Sequence, residues 1–360
     1  VENLVSFLNG FLLKPMPTTE HILIIRLSAM GDVAMTVPVI RALVEQHPEV
    51  KITVVSRPFF QPFFEDISNV NFFGVDLKKR HKGFLGLFRL FSDLRTLQID
   101  AVADLHSVLR SKVVRSLFAL SGKRVAATDK GRAEKKALTS LSNKVFKPVT
   151  SMFVRHVDTF KRLGFSIDLS SPKFPKKTDL SPEILFFTGI KNQKWIGIAP
   201  FAQYESKVYP FDLMQEVIDE LVKNKDYKIF LFGGGEKEIQ LLNQLQNQKE
   251  NAIVLAGKLK FKQELEVISN LDLMLSMDSG NAHIAAMLGV KVITLWGATH
   301  PYAGFKPFNQ PADFCLTSDR LQYPLLPTSI YGNKKVEGYE EAMRTILPNT
   351  IIQKITKELN

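Results

Sequence analysis

Residues 21–56 read HILIIRLSAMGDVAMTVPVIRALVEQHPEVKITVVS, and this stretch decides the fold. HILIIRL (21–27) is an apolar run without alternation, the pattern of a strand buried on both faces. SAMGD (28–32) contains the glycine of a tight turn. VAMTVPVIRALVEQHP then repeats apolar residues at helical spacing until Pro48 ends it, and KITVVS (51–56) is a second buried strand. A strand, a crossover of helix length and another strand lead to parallel pairing.

The alternation continues outward from there. DAVADLH (100–106) is a strand followed by the helical SVLRSKVVRSLFAL. The proline- and lysine-rich SSPKFPKKTDLSP (170–182) reads as a linker, after which the pattern starts afresh. WIGIAP (195–200), KIFLF (228–232), AIVLAG (252–257), DLMLSM (272–277) and KVITLWG (291–297) read as strands, with helices FDLMQEVIDELVKN, EKEIQLLNQLQNQ and QELEVISNL between them, and KVITLWG closes the series. The expected fold class is α/β, in two consecutive Rossmann-like units. The boundaries read as 1–180, 181–345 and a terminal helical segment, 346–360, that crosses back onto the first unit. A chain of 360 residues suits two domains of about 150–200 each.

Composition narrows the function classes. One cysteine, Cys315, excludes an internal disulfide and a Cys-cluster zinc site, and it reads as a packing residue. No apolar run approaches the roughly 18–20 residues of a spanning helix, and the first residues lack the basic start and cleavage site of a signal peptide. The expected compartment is the cytoplasm. Lys plus Arg number 47 against 36 acids, a net +11. Residues 1–180 carry 28 basic and 16 acidic side chains, net +12, so the whole excess lies in the first half. That half is expected to face something anionic, the alternative being a solvated basic face.

In a parallel α/β sheet, ligands sit at the carboxyl ends of the strands. Asp32, in the first loop, reads as a helix cap or as a general base. Lys207, just beyond a strand in FAQYESKVYP (201–210), reads as a surface lysine or as a point charge for a phosphate. Asp278, Ser279, Gly280 and His283, in SMDSGNAHIAAMLG (276–289), read as a capped buried helix or as a diphosphate cradle at a helix N-terminus. Glu236, beside the Gly233–Gly235 turn, reads as a solvated first-turn glutamate or as an acceptor for a ribose or base. No G-x-G-x-x-G, Walker loop, H-E-x-x-H or G-x-S-x-G occurs.

As an ordered set, IIRLSAMGDVAMTVPVIRAL, ADLHSVLRS, SKVYP, LFGGGEKE and SMDSGNAHIAAMLGVKVITLWGATHP resemble glycosyltransferase family 9, the ADP-heptose:lipopolysaccharide heptosyltransferases and their relatives, from about residue 21 to residue 310. The resemblance implies a GT-B fold, two Rossmann-like domains facing each other across a cleft, with the acceptor held mainly by the first and the nucleotide-sugar by the second. It implies an inverting single displacement from ADP-heptose to a lipopolysaccharide inner-core or lipid-linked acceptor, without an obligate metal or other cofactor. Asp32 matches the general base, Lys207 the phosphate-binding lysine, and Glu236 a ribose contact. Asp278, Ser279, Gly280 and His283 match the loop that grips the donor's sugar and diphosphate.

Residues 110–136 hold nine Lys/Arg against two acids, and Arg110, Arg132, Lys135 and Lys136 are the expected contacts to an anionic acceptor. Residues 59–91 interleave Phe59, Phe60, Phe63, Phe64, Phe84 and Phe88 with Lys78, Lys79, Arg80 and Lys82. That mixture suits either peripheral contact with the inner membrane or core phenylalanines beside a charge run. The stretch LLPTSIYGNKKVEGYEEAM lacks the cysteines that some relatives carry there. Residues 1–15 read as an upstream extension or as an amphipathic membrane-contact helix. Two other classes are compatible with the same loops: a GT-B enzyme or epimerase using a UDP- or GDP-sugar, and a non-enzymatic basic α/β protein binding anionic lipid or nucleic acid. No helix-turn-helix, RNP or zinc-finger pattern favours nucleic acid, which is not an expected partner.

Overall fold

The computed structural model describes residues 20–360, so the reading of residues 1–15 lies outside it. The first unit contains β1 (His21–Ile25), α1 (Met30–Ala34), α2 (Thr36–Gln46), β2 (Lys51–Ser56), β3 (Val70–Gly74), α3 (Gly83–Arg95), β4 (Ala101–Asp104), α4 (Leu109–Leu120), β5 (Arg124–Ala127), α5 (Arg132–Leu138) and α6 (Met152–Lys161). Residues 165–181 carry no helix or strand. The second unit follows with α7 (Pro182–Thr188), β6 (Lys194–Ala199), α8 (Phe211–Leu221), β7 (Tyr227–Leu231), α9 (Glu236–Gln246), β8 (Ala252–Val254), α10 (Phe261–Ser269), β9 (Leu273–Met277), α11 (Gly280–Met287), β10 (Lys291–Trp296), β11 (Cys315–Thr317) and α12 (Pro348–Leu359).

The five-stranded sheet runs β3-β2-β1-β4-β5 and the six-stranded sheet β11-β10-β9-β6-β7-β8, with every pairing parallel. Both are doubly wound. The strand order reverses between β1 and β4 in one sheet and between β6 and β9 in the other. At such switch points the flanking loops diverge and leave a crevice at the carboxyl ends of the strands. All five residues of β1 and of β9 are buried, because helices cover both faces.

One hydrophobic cluster joins the units, running from Ile22, Val37 and Phe63 through Met287 and Ala285 to Trp195 and Phe230. Two backbone hydrogen bonds stitch the units together further along, Val149 N–H to Tyr302 O and Met152 N–H to Gly304 O, each 2.9 Å.

Four points of the sequence reading meet a different or divided outcome in the structure. The terminal helix does not cross back: Ile351, Ile355 and Leu359 of α12 pack into the second unit's core with Ile218 and Leu221 of α8. KVITLWG does not close the second sheet, since β11 pairs beyond it through Thr294–Trp296. The phenylalanines of 59–91 divide. Phe60, Phe63 and Phe64 are core, whereas Phe84 and Phe88 are exposed on α3 with Leu85. Helix α1 also begins at Met30, earlier than the apolar spacing indicates, so Asp32 lies inside its first turn.

Candidate active site

The loops leaving β1 and β9, one from each switch point, meet face to face. A Cβ on Gly31 would lie 3.0 Å from His283 Cδ2 and 3.1 Å from Gly280 Cα. A side chain there would have to push the His283 ring and the Gly280 backbone aside, so Gly31 lets the first turns of α1 and α11 touch. Beside this contact lies a cavity of about 240 Å³ lined by Asp32, Met35, Gln203, Tyr204, Lys207, Asp278, Ser279, His283, Phe305 and Tyr331.

Asp32 is the third residue of α1. Its Oδ2 accepts from Arg26 Nη2 at 2.6 Å and from the Ala29 N–H at 3.3 Å. Oδ1 has no protein donor among the described residues, and the side chain is 33% exposed. Burial pushes the carboxyl up, but the Arg26 guanidinium and the Ala29 N–H outweigh it and hold Asp32 below the ordinary carboxylate range. Asp32 therefore both satisfies a free N–H at the start of its helix and presents one unoccupied oxygen to the cavity. Arg26 itself is buried, with Nη1 donating to Leu105 O at 2.6 Å.

Across the cavity, Lys207 Nζ lies 2.9 Å from Asp278 Oδ2, and the Thr299 hydroxyl donates to the same oxygen at 2.8 Å. Asp278 thus holds the lysine through Oδ2 while itself lining the cavity. Ser279 occupies the N-cap position of α11, yet its hydroxyl pairs with that of Ser276 at 3.1 Å and caps no helix N–H. The first N–H groups of α11, at Gly280 and Asn281, have no backbone or side-chain acceptor among the described residues. They form an open anion site next to an ammonium. His283 is buried with Nδ1 unpartnered, and burial lowers its pKa, so it is a neutral imidazole at neutral pH.

Glu236 does not reach this site. It is exposed at the start of α9 and outside the linings of the cavities described; Glu238, two residues on, accepts from the Gly234 N–H at 2.8 Å and lines the adjoining space. The two residues are separated by the helical turn, which the strand–GGGE–helix pattern does not resolve.

On the first unit, a second cavity of about 540 Å³ is lined by Ser107, Lys112, Lys130, Arg132, Asp129 and Glu134. Both acids are occupied by Arg155, which leaves three cations without an ion-pair partner among the described residues. Of the expected acceptor contacts, Arg132 is here. Lys135 is buried under the Phe305 ring, 4.2 Å from its centroid, and burial pushes its pKa down to about 8. Arg110 and Lys136 are exposed and outside both linings.

Arg26, Lys112, Lys130 and Tyr331 are site residues that the sequence reading missed. An arginine inside the apolar run IIRL was a usable signal, because a buried charge needs a partner. Tyr331 had none: it arrives on a loop that no periodicity marks.

The sequence profile of glycosyltransferase family 9 (heptosyltransferase) matches residues 87–326. The lipopolysaccharide core heptosyltransferase OpsX of Haemophilus influenzae is 26% identical over 298 residues, 78% of this chain and 80% of that protein. Among solved structures, a family 9 glycosyltransferase of Veillonella parvula superposes with a TM-score of 0.73 at 19% identity, covering 95% of this chain and 97% of that one. The E. coli heptosyltransferase WaaC with ADP gives a TM-score of 0.62 at 19% identity, covering 94% and 98%. These likenesses carry the GT-B fold, two Rossmann-like domains across a cleft.

Proposed function

The chain belongs to glycosyltransferase family 9 (heptosyltransferase), and from that premise we propose that it moves a heptose from ADP-heptose to an inner-core or lipid-linked lipopolysaccharide acceptor, with inversion at the anomeric carbon. The observation that carries this reading is the pairing across one cavity of a carboxylate, Asp32, with an open anion site, Lys207 and the N-terminus of α11. An inverting transfer needs both at once: a base on the acceptor hydroxyl and stabilisation of the departing diphosphate on the opposite side of the sugar.

In this reading the first domain, residues 1–180, takes the acceptor and the second, 181–345, the donor. The acceptor oxygen attacks the anomeric carbon and its proton passes to Asp32 Oδ1. The bond from that carbon to the diphosphate oxygen breaks, and the new negative charge falls on the phosphates. Asp32 is a weak base, so proton transfer accompanies carbon–oxygen bond formation rather than preceding it. Lys207, held in place by Asp278, and the N–H groups of Gly280 and Asn281 meet the leaving group's charge without a metal. Lys112, Lys130 and Arg132 suit phosphates or carboxylates on the acceptor.

The membrane contact belongs to the same reading. No described helix is long and apolar enough to cross a bilayer. However, Phe84, Leu85 and Phe88 stand exposed on α3 beside Lys78, Lys79 and Lys82, a combination suited to an anionic interface on the cytoplasmic face.

The test is a transfer assay with ADP-heptose and a core acceptor, reading the anomeric configuration of the product, alongside sedimentation with anionic vesicles. Inverted heptoside is expected, with vesicle binding reduced by Phe84→Ser/Phe88→Ser. Transfer only from UDP- or GDP-sugars would refute the donor assignment, and a retained configuration would refute the single displacement.

A further inference from the structure

A larger cavity, about 600 Å³, opens from the same two loops and shares Gly31, Gln203, Ser279 and Gly280 with the one described above. Its other end is lined by Phe59 from the first unit and by Gly257, Leu259, Phe261 and Glu264 from the second. Phe59 and Phe261 stack with centroids 4.3 Å apart and planes at 24°, and Phe59 remains 54% exposed.

Glu264 is the unexplained residue here. It sits in the first turn of α10, but the cap of that helix is already made by Gln263, whose Oε1 accepts from the Lys260 N–H at 2.9 Å. The half-buried Glu264 carboxyl makes no hydrogen bond or ion pair among the described residues. No basic side chain lines this cavity, and the one other ionisable lining residue, Glu238, already accepts from Gly234 N–H. An aromatic corner holding one unpartnered carboxyl and no cation suits a flat, uncharged, hydrogen-bonding group. A nucleotide whose phosphates lie against α11 would place its base there.

We propose that Glu264 is the base-reading residue of the donor site, hydrogen-bonded to the amine-bearing edge of adenine beside Phe59 and Phe261. This rests on the nucleotide-donor reading above and adds the residue that selects the base. A neutral carboxyl presents an O–H donor and a C=O acceptor side by side, matching adenine's N1 acceptor and N6 amine. An ionised carboxylate has acceptors only, so it repels N1 and suits the two donors on the edge of guanine. Burial, with no cation to oppose it, pushes the Glu264 carboxyl up to about 7, which leaves the neutral form well populated near neutral pH. Cytosine carries the same amine beside a ring nitrogen, and uracil a donor beside an acceptor, so both belong in the test.

Calorimetric titration of the full chain with ADP, CDP, UDP and GDP at about pH 6 and about pH 8.5 decides the matter. ADP should bind tightest at the lower pH and weaken about tenfold at the higher, while GDP strengthens. Glu264→Ala should lower ADP affinity about tenfold at the lower pH. Glu264→Gln, whose amide always shows the donor–acceptor pattern, should keep the ADP preference and lose the pH dependence. Wild-type ADP affinity in Glu264→Ala, or an unchanged pH trend in Glu264→Gln, overturns the proposal. Tighter CDP or UDP binding in the wild type overturns the adenine assignment. If the wild type binds none of the four, the donor reading itself fails. If it binds ADP and Lys207→Ala abolishes this while Glu264→Ala does not matter, only the base-reading role fails.

Discussion

The two switch points look alike in sequence and do opposite things. Each is a buried strand, a short loop with an aspartate and a glycine, and a helix. In IIRLSAMGD the aspartate comes after the glycine and falls on the third residue of α1. Its carboxylate occupies its own helix N-terminus, taking the Ala29 N–H and pairing with Arg26, so that end of the cleft is already anionic. In SMDSGNAH the aspartate comes before the glycine, ahead of the N-cap. It turns away to Lys207 and Thr299 and leaves the N-terminus of α11 empty. A shift of the carboxylate by a few positions along the turn decides whether the free N–H groups of the helix are used or left open, which in the proposed reaction separates the proton acceptor from the anion site.

The sharpest way to break this comparison is at Asp32. Asp32→Asn should lower kcat by about a thousandfold, the middle of the range for removal of a general base, while ADP affinity stays within about twofold. A small kcat effect would make Asp32 a helix-capping residue and nothing more. The pH profile sharpens the point. Because Arg26 and the Ala29 N–H hold its pKa below the ordinary carboxylate value, Asp32 stays ionised through the mildly acidic range, and kcat at saturating donor should be flat from about pH 8 to about pH 5. Stability follows with the same sign. The contribution of the Asp32–Arg26 pair is present above the unfolded carboxyl pKa and is lost as pH falls through the lower folded value.

The opposite side is probed by charge. Lys207→Ala should weaken ADP binding by about 10- to 100-fold, the value of a charge-assisted contact, and it also leaves Asp278 buried with Thr299 alone. Asp278→Asn should cost less ADP affinity, since Lys207 remains charged but less well held. Calorimetry on both single variants and the double variant separates the terms. If Asp278 grips the donor directly, its loss adds in full to that of Lys207; if it acts through the lysine, the double variant is no worse than Lys207→Ala alone.

How far the sequence reached follows from what each signal depends on. Continuous apolar runs place β1, β2, β4, β6, β7, β9 and β10, because short runs rich in Ile, Val and Leu between turn residues and helical stretches suit strands buried on both faces. VNFFG and RVAA give no such signal, since both are edge strands whose residues are largely half-exposed or exposed. Asp32, Lys207 and the 278–283 loop were legible from their positions after strands. The Lys207–Asp278 pair was not, because its partners lie 71 positions apart and meet only when β6 and β9 lie side by side. Between Glu236 and Glu238 the sequence does not choose: two residues on a helix change the face, and Glu238 is the one that lines the cavity.

The smallest effect tests the seam where the two loops touch. An alanine Cβ at Gly31 meets the Gly280 backbone and the buried His283 ring, neither of which can yield without moving α11. At Gly280 the nearest atom is Met30 Cε at 2.9 Å, the end of a flexible side chain that can rotate away. Gly31→Ala should therefore lower kcat about tenfold by widening the gap between the two helix termini, with a smaller loss of ADP affinity because α11 carries the proposed anion site, and stability altered by about 1 kcal/mol. Gly280→Ala should stay within about threefold of the wild type in kcat. Equal losses in the two variants would mean that the helix termini need crowding relief on both sides, and that their asymmetric packing plays no part in setting the distance across which the proton acceptor and the leaving group cooperate.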